Sequence, residues 1–436
     1  MVRLVIMNPV GPWPALLCLI SGLLAAMLLV NRFGKPPPQG RFLPIDGLRG
    51  YLAFAVFIHH ACVWYYYMHK GDWAVPPSNF YTHLGQSSVA VFFMITGFLF
   101  FSKLIDGRKK QLDWGRLYVS RVLRLTPLYV FAMCLLFLIV AIRSRHGLLL
   151  PLKQEVMDAA RWLSFTIFGS PLLNGVRDTR TVTAAVTWTL PYEWFFYLSL
   201  PLLFLLVGRI PPFFYFALAL FSLGFLLLLM NMDDIYSLDF FYPEFWKAAP
   251  FLGGMAAAAL ARSGRVRRMA GSWIASFVAI ACLLGLLWYA TAYYAWGPVL
   301  LLSVAFAIVA CGNDFFGILI HPVSRILGEI SYSIYLLHGI ILYVTFHFIM
   351  GEARAASWSS TEYWLVAMGI APVVVWFSFA TFRFIEKPAM DKTPVVSKWV
   401  NKQIQPVLDF GQKIRERIYS KGRRGALVVL KNASEK

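Results

Sequence analysis

Apolar residues along this 436-residue chain gather into eleven long runs, at 13–30, 50–68, 88–103, 118–142, 187–207, 211–231, 245–261, 272–290, 292–311, 327–350 and 361–384. A helix needs about 20 such residues to cross the hydrocarbon of a bilayer, and it satisfies its own backbone hydrogen bonds there. The strict two-residue alternation of a transmembrane β-barrel is absent from the pattern. The runs therefore predict an all-α, polytopic transmembrane helix bundle of ten or eleven helices. Composition agrees: 59% of residues are hydrophobic and only 14% are charged, against about 25% charged in a soluble domain.

Run 13–30 is followed at once by Asn31-Arg32 and the Pro36-Pro37-Pro38 linker. Its basic downstream flank and weak n-region favour an extra spanning helix over a signal peptide. The expected organisation is an N-terminal helix and Pro-rich linker over 1–40, a membrane domain over 41–390 and a basic tail over 391–436. Segment 154–168 carries Val156, Ala160, Leu163 and Ile167 at helical spacing, which fits an interfacial or re-entrant helix or a solvated loop helix. From about residue 397, Trp399, Ile404, Leu408, Ile414 and Ile418 stripe a basic segment suited to an anionic leaflet, with a disordered tail as the alternative.

The net charge of +19 lies in blocks between the apolar runs, so it points to the bilayer and not to nucleic acid. Lys103, Arg108, Lys109, Lys110 and Arg116 fill one loop, Arg262, Arg265, Arg267 and Arg268 another, and twelve Lys or Arg follow Glu386. These fall on one side if the helix starting near Gly50 runs outward, and that side, with the C-terminus, is expected to be cytoplasmic. Loop 143–186 carries six basic residues on the other side, but long loops obey the rule less well. The five cysteines sit singly in apolar runs, without the spacing of a disulfide framework or a zinc site.

An ionisable group inside a spanning helix costs about 2.5–3.5 kcal/mol on insertion scales, which makes it a functional candidate. Arg49 and His60 are eleven residues apart, so they share a helix face, roughly 20° apart in azimuth and about 16 Å apart along the axis. Asp46 lies near that face. Arg49 presents a fork of donors suited to phosphate or acts as a snorkelling anchor. A neutral His60 deep in the membrane suits a general base or an interhelical hydrogen bond, and His59 reads as packing. Arg121 and Arg124, at i and i+3, share a face at the start of the 118–142 run, as anion ligands or as membrane anchors. Glu193 is expected at the outer end of its helix, to orient a histidine, hold a hydroxyl or tie neighbouring helices. Ser331, Tyr335 and His338 line up as interhelical hydrogen-bonders. No ligand set for a metal is seen, since His59-His60 lack partners at coordinating spacing.

These residues fall in motifs. "FLPIDGLRGYLAFAVFIHH", "RVLRLTPLY", "TWTLPYEWFFYLSLPL", "LGEISYSIYLLHG" and "RFIEKPA", together with "SVAVFFMITGFLFFSKL", resemble in order the motifs of the acyltransferase-3 family of bacterial membrane carbohydrate O-acyltransferases, over about residues 42 to 390. The resemblance implies a ten-helix core in the bacterial inner membrane. It implies a cytoplasmic acyl-CoA donor, usually acetyl-CoA, and a carbohydrate or glycolipid acceptor. His60 would be the catalytic base, Asp46 and Glu193 contributors, and Arg49, Arg121 and Arg124 the donor-binding residues. The chain departs from the family in its extra run 13–30 and in reading Pro-Tyr-Glu-Trp where many relatives have Ser-x-Glu-Glu, a difference that bears on the acceptor. The rival reading is a transporter or flippase for a lipid-linked sugar or acyl group, against which stands the lack of inverted repeats.

Overall fold

The computed structural model describes residues 7–36, 42–110, 112–145, 147–230, 244–291 and 296–409. The apolar runs all carry helix, and no strand occurs among the described residues. The first four long helices are α1 (Pro12–Phe33), α2 (Leu43–Lys70), α3 (Asn79–Asp106) and α4 (Trp114–Arg143). Local chemistry starts and stops them. Pro44 fits the first turn of α2, where no amide hydrogen is needed. Gly71 ends α2 in the left-handed region at φ 82°. The Ser78 and Asp113 side chains cap α3 and α4.

Two short helices, α5 (Leu152–Leu163) and α6 (Thr179–Val182), lie in the long loop before α7 (Thr189–Leu206). Then come α8 (Phe213–Met230), α9 (Phe245–Leu260), α10 (Gly264–Ala270), α11 (Trp273–Gly285) and α12 (Trp296–Ala310). The run 327–350 is broken at Ile330 into α13 (Pro322–Glu329) and α14 (Ser331–Tyr343), which passes into a π-helical turn over Val344–Ile349. After α15 (Glu352–Ala356), α16 (Ser360–Thr381) ends in a second π-helical turn, Phe382–Glu386, and α17 (Lys387–Asp391).

Among the described residues, six helical stretches are long and apolar enough to span a membrane by themselves, and a seventh span results if α10 and α11, bent by 73°, count as one. The helices α8 and α12 are apolar but shorter. The 28 residues of α2 suffice in length, but His59, His60 and three successive tyrosines dilute its apolar character.

Glycines set the closest helix contacts. Gly47 and Gly50 of α2 face the backbone at Leu319 and Leu327, and Gly328 of α13 faces the Asp46 carbonyl, with no room for a Cβ. Gly254 of α9 presses on the Met94 carbonyl of α3, and Gly97 of α3 on the Phe251 carbonyl. In a bilayer, where burial of apolar surface drives little, such close packing of small residues supplies much of the helix association.

The loop between α4 and α7 has two parts. Along α5, Leu152, Val156, Met157 and Leu163 are exposed while Trp162 is buried, a face suited to the bilayer interface. Beyond it the chain folds back into the bundle, and Thr166, Thr179, Thr183 and Val186 are buried. Phe165 and Thr166 take positive φ of 57° and 55°, an unfavourable conformation for both. It is held by Thr166 Oγ1 donating to the Thr187 carbonyl at 3.2 Å, and Tyr129 donates to the Trp162 carbonyl at 2.5 Å. The consequence is that α7 begins inside the bundle. Past α17, residues 393–409 are helical, and Ile404 and Leu408 pack on the core. Ile414 and Ile418 lie outside the described residues.

Gly254→Val should lower the thermal unfolding midpoint in detergent by the equivalent of about 2 kcal/mol or more, since two backbones already touch there. Gly224→Ala, with open space around it, should stay within about 0.5 kcal/mol; scanning fluorimetry reads both. A second expectation concerns Asp178, in the loop outside the spanning helices. Its burial raises the carboxyl's pKa, but the His347 ring 3.4 Å away, a hydrogen bond from Tyr343 and the Arg143 charge outweigh this and hold it at about 2. A depressed pKa gives stability that is present above pH 4 and lost as pH falls toward 2. Asp178→Asn should remove about 1–2 kcal/mol of stability at neutral pH and flatten that acid dependence.

Candidate active site

Five helices, α2, α3, α4, α7 and α14, enclose a cavity with about 780 Å³ of empty space, part of it open to solvent. Arg49, Arg121, Arg124 and Glu193 all line it. Glycine packing directs this arrangement. With Gly47 turned to Leu319 just before α13 and Gly50 to α13 itself, the neighbouring face of α2 carries Arg49 inward. Arg49 is partly buried, and its Nε, wholly shielded from solvent, has no hydrogen-bond partner. On α4, Arg121 Cζ sits 5.1 Å from the centre of the Phe100 ring, a cation–π contact. Arg124 reaches Met390 Sδ at 3.3 Å, a weak acceptor for a guanidinium.

Glu193 corrects the sequence reading. It is not at an outer helix end: it accepts from Thr96 Oγ1 at 3.2 Å and lies within electrostatic reach of Arg121 and Arg49. The cause is the re-entrant loop, which starts α7 at the depth of Tyr335, where Thr189 Oγ1 and Tyr335 Oη are 3.0 Å apart. Glu193 is four residues further on, one turn toward the end of the bundle that holds the three arginines. Tyr197, one turn on again, also lines the cavity and interacts with Arg121.

Two of the other sequence candidates lie apart from the cavity lining. Asp46, in the first turn of α2, is within electrostatic reach of Arg49, Arg124 and Arg325. His60 lies beyond the far end of the cavity. Its Nδ1 is 3.0 Å from His338 Nε2 and 3.1 Å from the Val56 carbonyl. His338 follows the cavity-lining Tyr335 by three residues, about 4.5 Å along α14. Trp73 stacks over the His60 ring at 6.3 Å between centroids and 16° between planes. The neighbouring His59 is buried, with Nδ1 2.8 Å from the Tyr81 carbonyl and its ring against Gly85.

Several contributors had little or no sequence signal. Thr96 and Tyr197 sit within unremarkable apolar runs. Glu386 was visible only as part of the closing "RFIEKPA". It is wholly buried, accepts a hydrogen bond from Ser333, which in turn accepts from Thr381 Oγ1 at 3.1 Å, and faces Arg124 and Arg49 electrostatically. The "SYSIY" and "RFIEKPA" stretches thus meet in space. Ser331 lines the cavity with a buried Oγ that has no partner, so it differs from its hydrogen-bonded companions Tyr335 and His338.

Three guanidinium groups meet one carboxylate at the cavity wall, with Glu386 behind. The lining itself therefore carries more positive than negative charge, and the unpartnered Arg49 Nε is a donor that an anion entering the cavity would satisfy. A family model described as an acyltransferase domain, Acyl_transf_3, matches residues 43–383. The chain belongs to this family. No curated protein and no solved structure matches it. The matched span opens at the first residue of α2 and closes in the second π-helical turn, so α1 lies outside the acyltransferase domain. All the site residues of this membrane acyltransferase lie within that span, save Glu386.

Glu193 is the only acid lining the acyltransferase cavity among the described residues. Glu193→Gln should therefore tighten binding of a soluble polyanion such as pyrophosphate, by about fivefold if the lost repulsion is roughly 1 kcal/mol. Titration calorimetry at low salt would measure it, and the gain should shrink as salt rises.

Proposed function

We propose that this acyltransferase moves an acyl group, most simply acetyl, from acyl-CoA at the cytoplasmic face to a hydroxyl of a carbohydrate or glycolipid acceptor. The observation that carries this reading is a cavity lined by three guanidinium groups and one carboxylate, with the buried, unpartnered Arg49 Nε, at the basic end of the bundle. Arg49, Arg121 and Arg124 hold the donor's phosphates there, as guanidinium forks match phosphate oxygens. Asp46 and Glu193 set those guanidinium groups. The donor's flexible arm then runs along α14, past Tyr335, toward His60.

At that point His60 takes the proton of the acceptor hydroxyl as the oxygen attacks the thioester carbonyl. The carbon–sulfur bond breaks, the thiolate leaves, and the proton passes from His60 to the sulfur. The enzyme ends the cycle unchanged. The setting is a bacterial inner membrane with the C-terminus in the cytoplasm, as the Lys and Arg distribution supports.

Acetyl-CoA binding to the detergent-purified protein tests this by calorimetry. Arg49→Ala should weaken binding at least tenfold, since truncating a buried charged contact costs about 2–5 kcal/mol. His60→Ala should leave binding within about threefold and lower turnover by about 10²–10⁴. Absence of binding by protein with a normal thermal transition would overturn the donor assignment and leave the transport reading in its place.

A further inference from the structure

His60 meets a second histidine on another helix. His338 is fully buried, and its Nδ1 lies 2.9 Å from the Ile334 carbonyl. A carbonyl only accepts, so this nitrogen carries a hydrogen, and in a neutral ring Nε2 is then a bare acceptor. That acceptor points at His60 Nδ1, 3.0 Å away. His60 Nδ1 also faces the Val56 carbonyl at 3.1 Å. Both of its neighbours are acceptors, so His60 Nδ1 must carry a hydrogen too. Two neutral rings, each protonated on Nδ1, account for all three contacts, with the one His60 hydrogen shared between the Val56 carbonyl and His338 Nε2. His60 Nε2 is left with a free lone pair on a ring that, unlike His338, is only partly buried.

The two acceptors differ. The Val56 carbonyl stands one turn back on the same helix, where it also receives the helical hydrogen bond from the His60 amide. His338 Nε2 has no other partner given by its geometry, and it sits on a separate helix. It therefore ties the imidazole to a fixed point outside α2, whereas the Val56 bond alone moves with α2. Glu193, which the sequence made a candidate for orienting a histidine, is engaged with Thr96 and faces the arginines.

We propose that His338 is a positioning residue that fixes His60 in its Nδ1-protonated tautomer and aims the bare Nε2 at the acceptor hydroxyl. The proposal rests on the general-base reading of His60 and deepens it. When His60 takes the substrate proton on Nε2, its Nδ1–H still points at the His338 lone pair. The positive charge then forms against an acceptor already in place, without reorganisation of the site.

Glutamine and asparagine separate this role from simple packing. The Gln amide oxygen reaches the place of His338 Nε2, whereas an Asn amide reaches only that of Nδ1. With saturating acyl-CoA and an acceptor hydroxyl, His338→Asn and His338→Phe should lower kcat by about 10–100-fold, as loss of an outer partner does for a metal-bound histidine, with KM for acyl-CoA nearly unchanged. His338→Gln should recover most of that loss. The second readout needs no turnover: ¹⁵N-histidine spectra of the wild-type protein, with His60 assigned by its disappearance in His60→Ala, should show Nδ1 protonated and Nε2 bare. Equal kcat for the Asn and Gln variants in folded protein, or a His60 resonance protonated on Nε2, would overturn the proposal. If His60→Ala keeps full turnover, the general-base reading fails and His338 loses its catalytic role with it, while the spectrum separately decides the hydrogen bond.

Discussion

Positive charge drawn partway into the interior is the constraint around which this bundle is built. Three guanidinium groups share one cavity, and moving an ion from water into a protein interior costs several kcal/mol even after relaxation. The helices around the cavity each supply part of the compensation. From α7 comes Glu193, held by Thr96 of α3. The face of the Phe100 ring supports Arg121. Asp46 adds charge from the first turn of α2. The turn after α16 is π-helical, and it carries Glu386 into the interior beside Arg124, where Ser333 of α14 holds it. Three carboxylates thus balance three guanidinium groups in formal charge, but two of them stand behind the lining, and Arg49 Nε keeps a buried donor without a partner at the cavity wall.

Much of this was legible in the chain. The apolar runs located the helices because hydrocarbon imposes length and self-contained hydrogen bonding on any spanning segment. The i, i+3 spacing of Arg121 and Arg124 and the eleven-residue step from Arg49 to His60 gave the right helix faces, since a helical period is local and regular. Family membership was legible from motif order. What failed was depth. Glu193 looked like an outer residue because its apolar run starts at 187, but the start of α7 is set by tertiary contacts of the loop before it. Thr166 holding the Thr187 carbonyl and Tyr129 holding the Trp162 carbonyl have no periodic signature.

The two π-helical turns were also invisible, because one extra residue per turn is averaged away over a run of twenty. Yet the turn at Phe382–Glu386 aims a buried carboxylate at the arginines, and the turn at Val344–Ile349 follows directly on the helix that bears His338. Extra residues of this kind recur at functional positions in helices. Pairing of His60 with His338 was missed for a related reason. Each was recognised on its own helix face, but a sequence alone does not say which two faces meet.

One feature of α14 bears on selectivity. Ser331 at the cavity wall, Tyr335 at its far end and His338 against His60 stand on a single continuous helix. Seven residues separate the first from the last, about 10 Å of rise. A rigid helix of fixed rise acts as a ruler. On the proposed reading it fixes the distance between the point where a donor's charged head is anchored and the point where its reactive carbon must arrive. Donors would then be sorted by the reach of the carrier arm before the acyl group itself is sampled, and a carrier one or two bonds shorter would bind as well and deliver nothing.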